Sequence, residues 1–224
     1  MDIQTLLPWV EQSLRDGRHH LSRGYQGNVL LYDDGRQRIV IKTPHGRGLM
    51  RYLHTRMLRH ENRVYQRLGK LDFLPPHYGL IANRYLAIGY VPSQTMRQCR
   101  PPGNSDFYDR LFQAIAQMHQ RGIAHMDLKR KENLLVDDNQ HPVIIDFGAA
   151  VIHKPGLHPL NHFWYGIARR FDYNAWIKHK YMGRLDQISE QDRPYYQRSW
   201  LEKLASMIKR SYLKIKRALQ GDTS

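Results

Sequence analysis

The feature that restricts this chain most is the run from His125 to Gly148, HMDLKRKENLLVDDNQHPVIIDFG. A carboxylate, Asp146, closes the apolar segment Val143-Ile144-Ile145. A second, Asp127, stands two places after His125, and Asn133 opens another apolar run, Leu134-Leu135-Val136. Polar groups at the ends of buried segments are costly unless something uses them. A short strand that ends in an acid aims that acid at one place, Phe147 can anchor it in apolar packing, and Gly148 allows a sharp turn. The pattern therefore predicts a cleft whose floor presents hard oxygen atoms.

The rest of the chain supplies the frame. Leu21–Asp34 and Gly35–Thr43 read as two strands around a turn at Asp33-Asp34-Gly35. Gly48–Leu68 has helical spacing at Leu49, Leu53, Met57, Val64 and Leu68, closed by Gly69. His77–Asn83 and Arg84–Val91 read as two further strands, and a polar, Pro- and Gly-bearing link follows at Met96–Ser105. Asp106–Arg121 is a predicted helix with Leu111, Ile115 and Met118 on one face and Gly122 after its end. A last helix is predicted from a capping pair at Ser189 and Asp192, with Trp200, Leu204, Ile208, Ile215 and Leu219 as its apolar stripe. No internal repeat is visible.

Composition narrows the class. The 224 residues are 41% hydrophobic, a globular composition long enough for one large domain or two small lobes. A single cysteine, Cys99, excludes an intramolecular disulfide. No apolar run approaches the roughly 20 residues of a membrane span, and the start of the chain lacks a signal pattern, so the expected compartment is cytoplasmic. The net charge of +15 favours a polyanionic or phosphorylated partner. Arg51, Arg56, Arg59, Arg63 and Arg67 crowd one helix with Glu61 as its only acid, and Lys203, Lys209, Arg210, Lys214, Lys216 and Arg217 lie opposite the last apolar stripe. The apolar stripe is expected to pack inward, leaving the basic face free.

A site that moves a phosphoryl group must hold Mg²⁺ (or Mn²⁺) against nucleotide phosphates, and Mg²⁺ usually takes only one or two carboxylates from a protein. Asp146 and Asn133 suit that task. Asp127 can orient or accept a hydroxyl proton, and Lys129 can neutralise charge on the transferring group. With these motifs in order, residues 21–150 resemble the protein-kinase-like superfamily. The resemblance implies an α+β, two-lobed fold with a small β-rich N-lobe and a shortened helical C-lobe. It implies one domain over 1–224, with an N-lobe at about 1–91, a hinge or link at about 89–104 and a C-lobe at about 105–224.

The same resemblance assigns residues. Ser22–Val29 corresponds to the phosphate-covering loop, with Gly24, Gly27 and Val29 in place but Ser22 where the first glycine usually stands. Lys42 corresponds to the strand lysine on the phosphates, and Glu61 to its helix partner. Gly89, Tyr90 and Val91 correspond to the adenine-contacting hinge. Asp127 and Lys129 correspond to the catalytic residues, Asn133 and Asp146 to the metal ligands. Two departures stand out: one residue more than usual separates Asp127 from Asn133, and the chain beyond Gly148 is short and lacks Ala-Pro-Glu. The brevity resembles small atypical kinases of the lipopolysaccharide-core, RIO-like and Bud32-like types.

Three functions compete at this point. The favoured one is an ATP-dependent kinase acting on an anionic glycan, such as a lipopolysaccharide-core sugar, at the cytoplasmic face of the inner membrane. The second is a minimal protein Ser/Thr kinase, to which Lys129 points. The third is a non-catalytic basic module binding membrane or, less favoured, nucleic acid. His153, His158 and His162 lie close together, but a solvated loop explains them better than zinc. Asp172 is read equally as a helix-start cap or as an anchor for the catalytic loop.

Overall fold

The computed structural model describes residues 2–24 and 27–197. A five-stranded antiparallel sheet dominates the first part, in the order β1-β2-β3-β5-β4. Its strands are β1 (His20–Gly24), β2 (Gly27–Asp33), β3 (Arg38–Lys42), β4 (His77–Ile81) and β5 (Tyr85–Gly89). Side-chain alternation divides two cores across this sheet. On one face Leu30, Ile39, Ile41, Ile81, Tyr85 and Ala87 bury against Leu6 and against Val10 of the N-terminal helix that follows it, α1 (Leu7–Asp16). On the other face Val40, Leu86 and Ile88 join the main core, to which α2 (Gly48–Leu68) adds Val64, Tyr65 and Leu68. The register leaves Lys42 on the α2 face, one alternation beyond Val40. β5 is buried along its whole length because both of its faces are covered.

Helices and short strands follow. They are β6 (Ser93–Thr95), α3 (Asp106–Gln120), β7 (Ile123–Ala124), β8 (Leu134–Asp137), β9 (Pro142–Ile144), β10 (Val151–Ile152) and α4 (Pro159–Lys180). β6 pairs with β8 and β8 with β9, while β7 pairs with β10. α3 buries Phe107, Leu111, Ile115 and Met118, as its spacing predicts. This is the expected α+β arrangement, a sheet-rich part with helices after it, consistent with a two-lobed kinase-like fold.

Several sequence-based expectations need correction. The first predicted strand is a hairpin of β1 and β2, closing at the Gly24–Gly27 pair. α1 follows a 3-10 turn at Ile3–Leu6 and was not foreseen. Leu49 and Leu53 belong to no core: they are 73% and 43% exposed, and α2 buries His54, Glu61 and Asn62 instead. The link at Met96–Ser105 is docked, since Met96 is fully buried and donates its N–H to Leu134 O at 2.8 Å. Ser189 and Asp192 do form a turn, but a 3-10 turn at Arg193–Tyr195 follows it, and no α-helix has begun by Gln197. The apolar stripe and basic face expected beyond it, Trp200 to Leu219, lie outside the described residues.

Candidate active site

Lys42, Glu61 and Asp146 come together from three elements. Lys42 Nζ donates to Glu61 Oε1 at 2.7 Å and approaches Asp146 Oδ1 at 3.4 Å. Burial alone would pull the Lys42 ammonium down. The Glu61 and Asp146 carboxylates outweigh it and hold the pKa above the usual lysine value. The Lys42 charge is the main reason that the Asp146 carboxyl lies below the usual carboxylate value, with His125 adding to it against the opposing effect of burial. Glu61, 2% exposed, also accepts the N–H of Phe147 at 3.2 Å, so α2 and the Asp146-Phe147-Gly148 turn share one carboxylate.

Asp146 itself has φ 68° and ψ 67°, a left-handed conformation that a non-glycine residue rarely holds. Its side chain is 31% exposed, so it faces an opening while its backbone is fixed from behind. Phe147 provides that fixation: it is fully buried, edge-on to Tyr65 at 5.1 Å and tilted against His125 at 4.8 Å. Burial first, then the nearby Glu61 and Asp146 charges, push the Tyr65 phenol far above its ordinary value, so it stays neutral.

The segment His125–Leu128 is held from α4. Asp172 is completely buried in mid-helix, and its carboxylate accepts from His125 N at 2.8 Å, Met126 N at 2.8 Å and His119 Nε2 at 3.0 Å. Of the two readings of Asp172, the loop anchor holds and the helix-start cap does not, because α4 starts at Pro159. About two turns later His179, kept neutral below the usual histidine value mainly by burial, donates Nε2 to Leu128 O at 2.8 Å. His125 Nδ1 accepts from Asp127 N at 3.3 Å, so its Nε2 carries the proton given to Ile145 O at 3.0 Å. These bonds hold Met126 at φ 69°.

Asp127 and Asn133 remain coupled despite the extra residue. A 3-10 turn at Lys131–Asn133 absorbs it, and Asn133 Nδ2 donates to Asp127 O at 3.0 Å. With its amide nitrogen turned inward, Asn133 keeps Oδ1 as its remaining polar atom. Arg130 Nε donates to Asp127 Oδ2 at 3.1 Å, and no hydrogen bond to Asp127 Oδ1 occurs among the described residues. That contact was not foreseen, although the extra basic residue was the available signal. Lys129 is exposed, with no ion-pair partner among the described residues.

The remaining predicted residues line the sheet side. Val29 pairs directly with Lys42, so both side chains share the α2 face. Gly24 and Gly27 pair at the hairpin end, and residues 25 and 26 between them lie outside the description. At the end of β5, Gly89 N donates to Pro76 O and Tyr90 N to Arg38 O at 3.0 Å, so neither donor is open to a ligand. Pro76 has no N–H to return to the Gly89 carbonyl. The hinge groups left are therefore the Gly89 carbonyl and the Val91 N–H. Gly89 has to be glycine, because a Cβ there would lie 2.8–3.0 Å from the Pro76 ring.

The oxygen set fits a divalent cation that is partly ligated by phosphate. Asp146 is ionised and half-open, and Asn133 has one oxygen to offer. No group of three or more His, Cys, Asp or Glu suited to a metal occurs among the described residues. The histidine group has other work: His162 Nε2 bonds Lys154 O at 2.8 Å and its ring stacks on His153.

Residues 90–169 match the family described as protein kinase domain. That match spans less than half of the chain and, with the sheet-rich part followed by helices, is consistent with a protein-kinase-like fold. Among curated relatives, the serine/threonine-protein kinase ppk8 of Schizosaccharomyces pombe is 32% identical over 110 residues, covering 46% of this chain and 20% of that protein. The maternal embryonic leucine zipper kinase of Xenopus laevis is 45% identical over 51 residues, 23% of this chain and 8% of that protein. The serine/threonine-protein kinase grp of Drosophila melanogaster is 44% identical over 48 residues, 21% of this chain and 9% of that protein. The matched segments therefore span a fifth or less of these relatives' lengths.

Proposed function

We propose that the chain is an ATP-dependent phosphotransferase acting on an alcohol hydroxyl, built as a single kinase-like domain hinged at Gly89–Val91. The observation that carries this reading is the joining of Lys42, Glu61 and Asp146 beside a loop that presents Asp127 and Asn133. Lys42 would hold the α- and β-phosphates, with Glu61 keeping the ammonium in place. The hairpin of β1 and β2, with Gly24 and Gly27, would cover the phosphates, and Val29 would pack on the nucleotide. The Gly89 carbonyl and the Val91 N–H would pair with the adenine edge.

Asp146 and Asn133 would ligate Mg²⁺ or Mn²⁺, which supplies charge neutralisation along the phosphates. Asp127 Oδ1 receives the proton of the acceptor hydroxyl as the acceptor oxygen bonds to the γ-phosphorus. The bond from that phosphorus to the β–γ bridging oxygen breaks, ADP leaves, and Lys129 offsets charge on the group in transit.

For the acceptor we favour an anionic, lipid-linked glycan of the lipopolysaccharide-core type, with the protein peripheral to a membrane. Two features support this. β10 is separated from α4 by only the short segment His153–His158, which gives little surface for an extended peptide. Beside it Leu157, Leu160, Phe163 and Trp164 are all exposed, an apolar cluster suited to lipid. No helix among the described residues is long and apolar enough to cross a membrane. A protein serine or threonine hydroxyl is the second reading, favoured by the names of the relatives and by Lys129. Labelling with γ-³²P-ATP and Mg²⁺ separates them. Label in extracted glycolipid supports the first reading, label in protein alone supports the second, and no metal-dependent transfer to either overturns both.

A further inference from the structure

At the end of the β7–β10 pair remote from His125 lies an open cleft of about 570 Å³, within the range of small-ligand sites. It is walled by the last turns of α2 and α3 and by the middle of α4. Its lining includes Arg67, His119, Arg121, His153, Arg169 and Tyr173, and no carboxylate is among the lining residues.

The three guanidiniums have no acidic partner among the described residues. Two are nevertheless held in place. Arg67 Nε donates to Arg121 O at 2.8 Å, and Arg121 Nη1 donates to Leu68 O. Backbone carbonyls fix these groups without cancelling their charge, and each keeps further N–H donors. Gly122, at φ 72°, makes room: a Cβ there would meet Arg67 Nη2 at 2.6 Å. Three like charges converging on one hollow repel one another until an anion joins them.

The second observation lies in the wall. His119 is 7% exposed, and its Nε2 is turned away to Asp172. Its Nδ1 is buried with no hydrogen-bond partner. Buried polar atoms are rarely left unpaired without a reason. An imidazole that donates from Nε2 offers Nδ1 as an acceptor to a hydroxyl or, once protonated, as a donor to an oxyanion. Planar guanidiniums match phosphate oxygens in the same way.

We propose that this cleft is a second ligand site, distinct from the nucleotide site, that binds a small phosphate monoester such as a sugar phosphate. Phosphate oxygens meet Arg67, Arg121 and Arg169, with the His119 ring in the wall beside them. The test is calorimetric titration of the full chain with a hexose 6-phosphate, without nucleotide or divalent metal, beside ¹⁵N NMR of the histidine rings. The expected result is one saturable site, displaced by inorganic phosphate, blind to the unphosphorylated hexose, and shifting the His119 Nδ1 resonance. Arg67→Gln and Arg169→Gln each weaken it by about tenfold or more, while Lys42→Met leaves it unchanged. Arg169 is exposed, so Arg169→Gln should keep the wild-type unfolding midpoint, while Arg67→Gln, which gives up the bond to Arg121 O, is read on protein whose thermal melt shows it folded. Absence of saturable binding overturns the proposal. So does binding that survives both arginine changes but vanishes in Lys42→Met, or binding of a phosphoserine peptide but not of the hexose phosphate.

Discussion

Replacing Asp172 by Asn tests how the catalytic loop is held. Three donors converge on its two oxygens: the N–H groups of His125 and Met126, each at 2.8 Å, and His119 Nε2 at 3.0 Å. Asn keeps one oxygen and presents an NH₂ where the other stood. If the oxygen stays on Met126, the N–H of His125 loses its acceptor, and His119 must change tautomer to accept from the new amide. A buried donor left unpaired costs about 1–3 kcal/mol, and losing the carboxylate's charge assistance costs roughly another 1 kcal/mol. The expected loss is about 2–4 kcal/mol out of a total that is typically about 5–15 kcal/mol. Urea unfolding measures it. The kinetic effect follows from Met126 at φ 69°, a strained conformation retained only while its bonds persist. Once the loop relaxes, Asp127 is misplaced, and transfer should fall by about 10²-fold. Nucleotide affinity should hold, because Lys42 and Glu61 do not touch Asp172. Stability within about 0.5 kcal/mol of wild type together with normal turnover would refute the reasoning.

Lys42→Met should keep the fold and remove most transfer, while Glu61→Gln should be milder because its amide oxygen still accepts from Lys42; steady-state rates on well-folded protein decide both. The same variant has a pH signature. Asp146 is depressed below 3.8 in the fold, so its contribution is present above that value and is lost as pH falls through the folded pKa. Lys42 is raised above 10.5, so its contribution is present below 10.5 and is lost only at still higher pH. Unfolding followed from neutrality into acid should therefore be less steep in Lys42→Met than in wild type, and equal slopes would contradict the assignment. Gly89→Ala should push the Pro76 ring away from β5, cost about 1–3 kcal/mol and raise the KM for nucleotide, as thermal melts and kinetics would show.

The site was more legible in the sequence than the frame, for a physical reason. Lys42 ends a short apolar strand, where a period of two dictates the face on which it emerges, and Asp146 follows another, two residues beyond β9 at the left-handed turn. Asn133 survived an extra residue because the insertion went into a turn and left the neighbouring strand register intact. Leu49 and Leu53 misled because apolar spacing does not reveal where a helix runs beyond its partner. The core side of α2 is set by Glu61, Val64 and Tyr65, and its first turns project past it. α1 was missed because its short amphipathic face, Leu6 to Val10, is comprehensible only once the sheet it covers is known. Asp172 looked ambiguous because a buried carboxylate in mid-helix makes sense only with three donors from elsewhere in the chain, and their convergence is not a local pattern.

A division of labour between Asp127 and Asp146 underlies the proposed chemistry, and one paired measurement tests it most directly. Nucleotide affinity is measured by calorimetry with and without Mg²⁺, beside single-turnover transfer, for Asp127→Asn and Asp146→Asn. Asp146→Asn removes a charged hard ligand and should weaken metal-dependent nucleotide binding as well as transfer. Asp127→Asn should leave metal-dependent affinity near normal and lower transfer by about 10²–10⁴-fold, the range for losing a general base. Loss of nucleotide binding in Asp127→Asn with retention in Asp146→Asn would contradict the account.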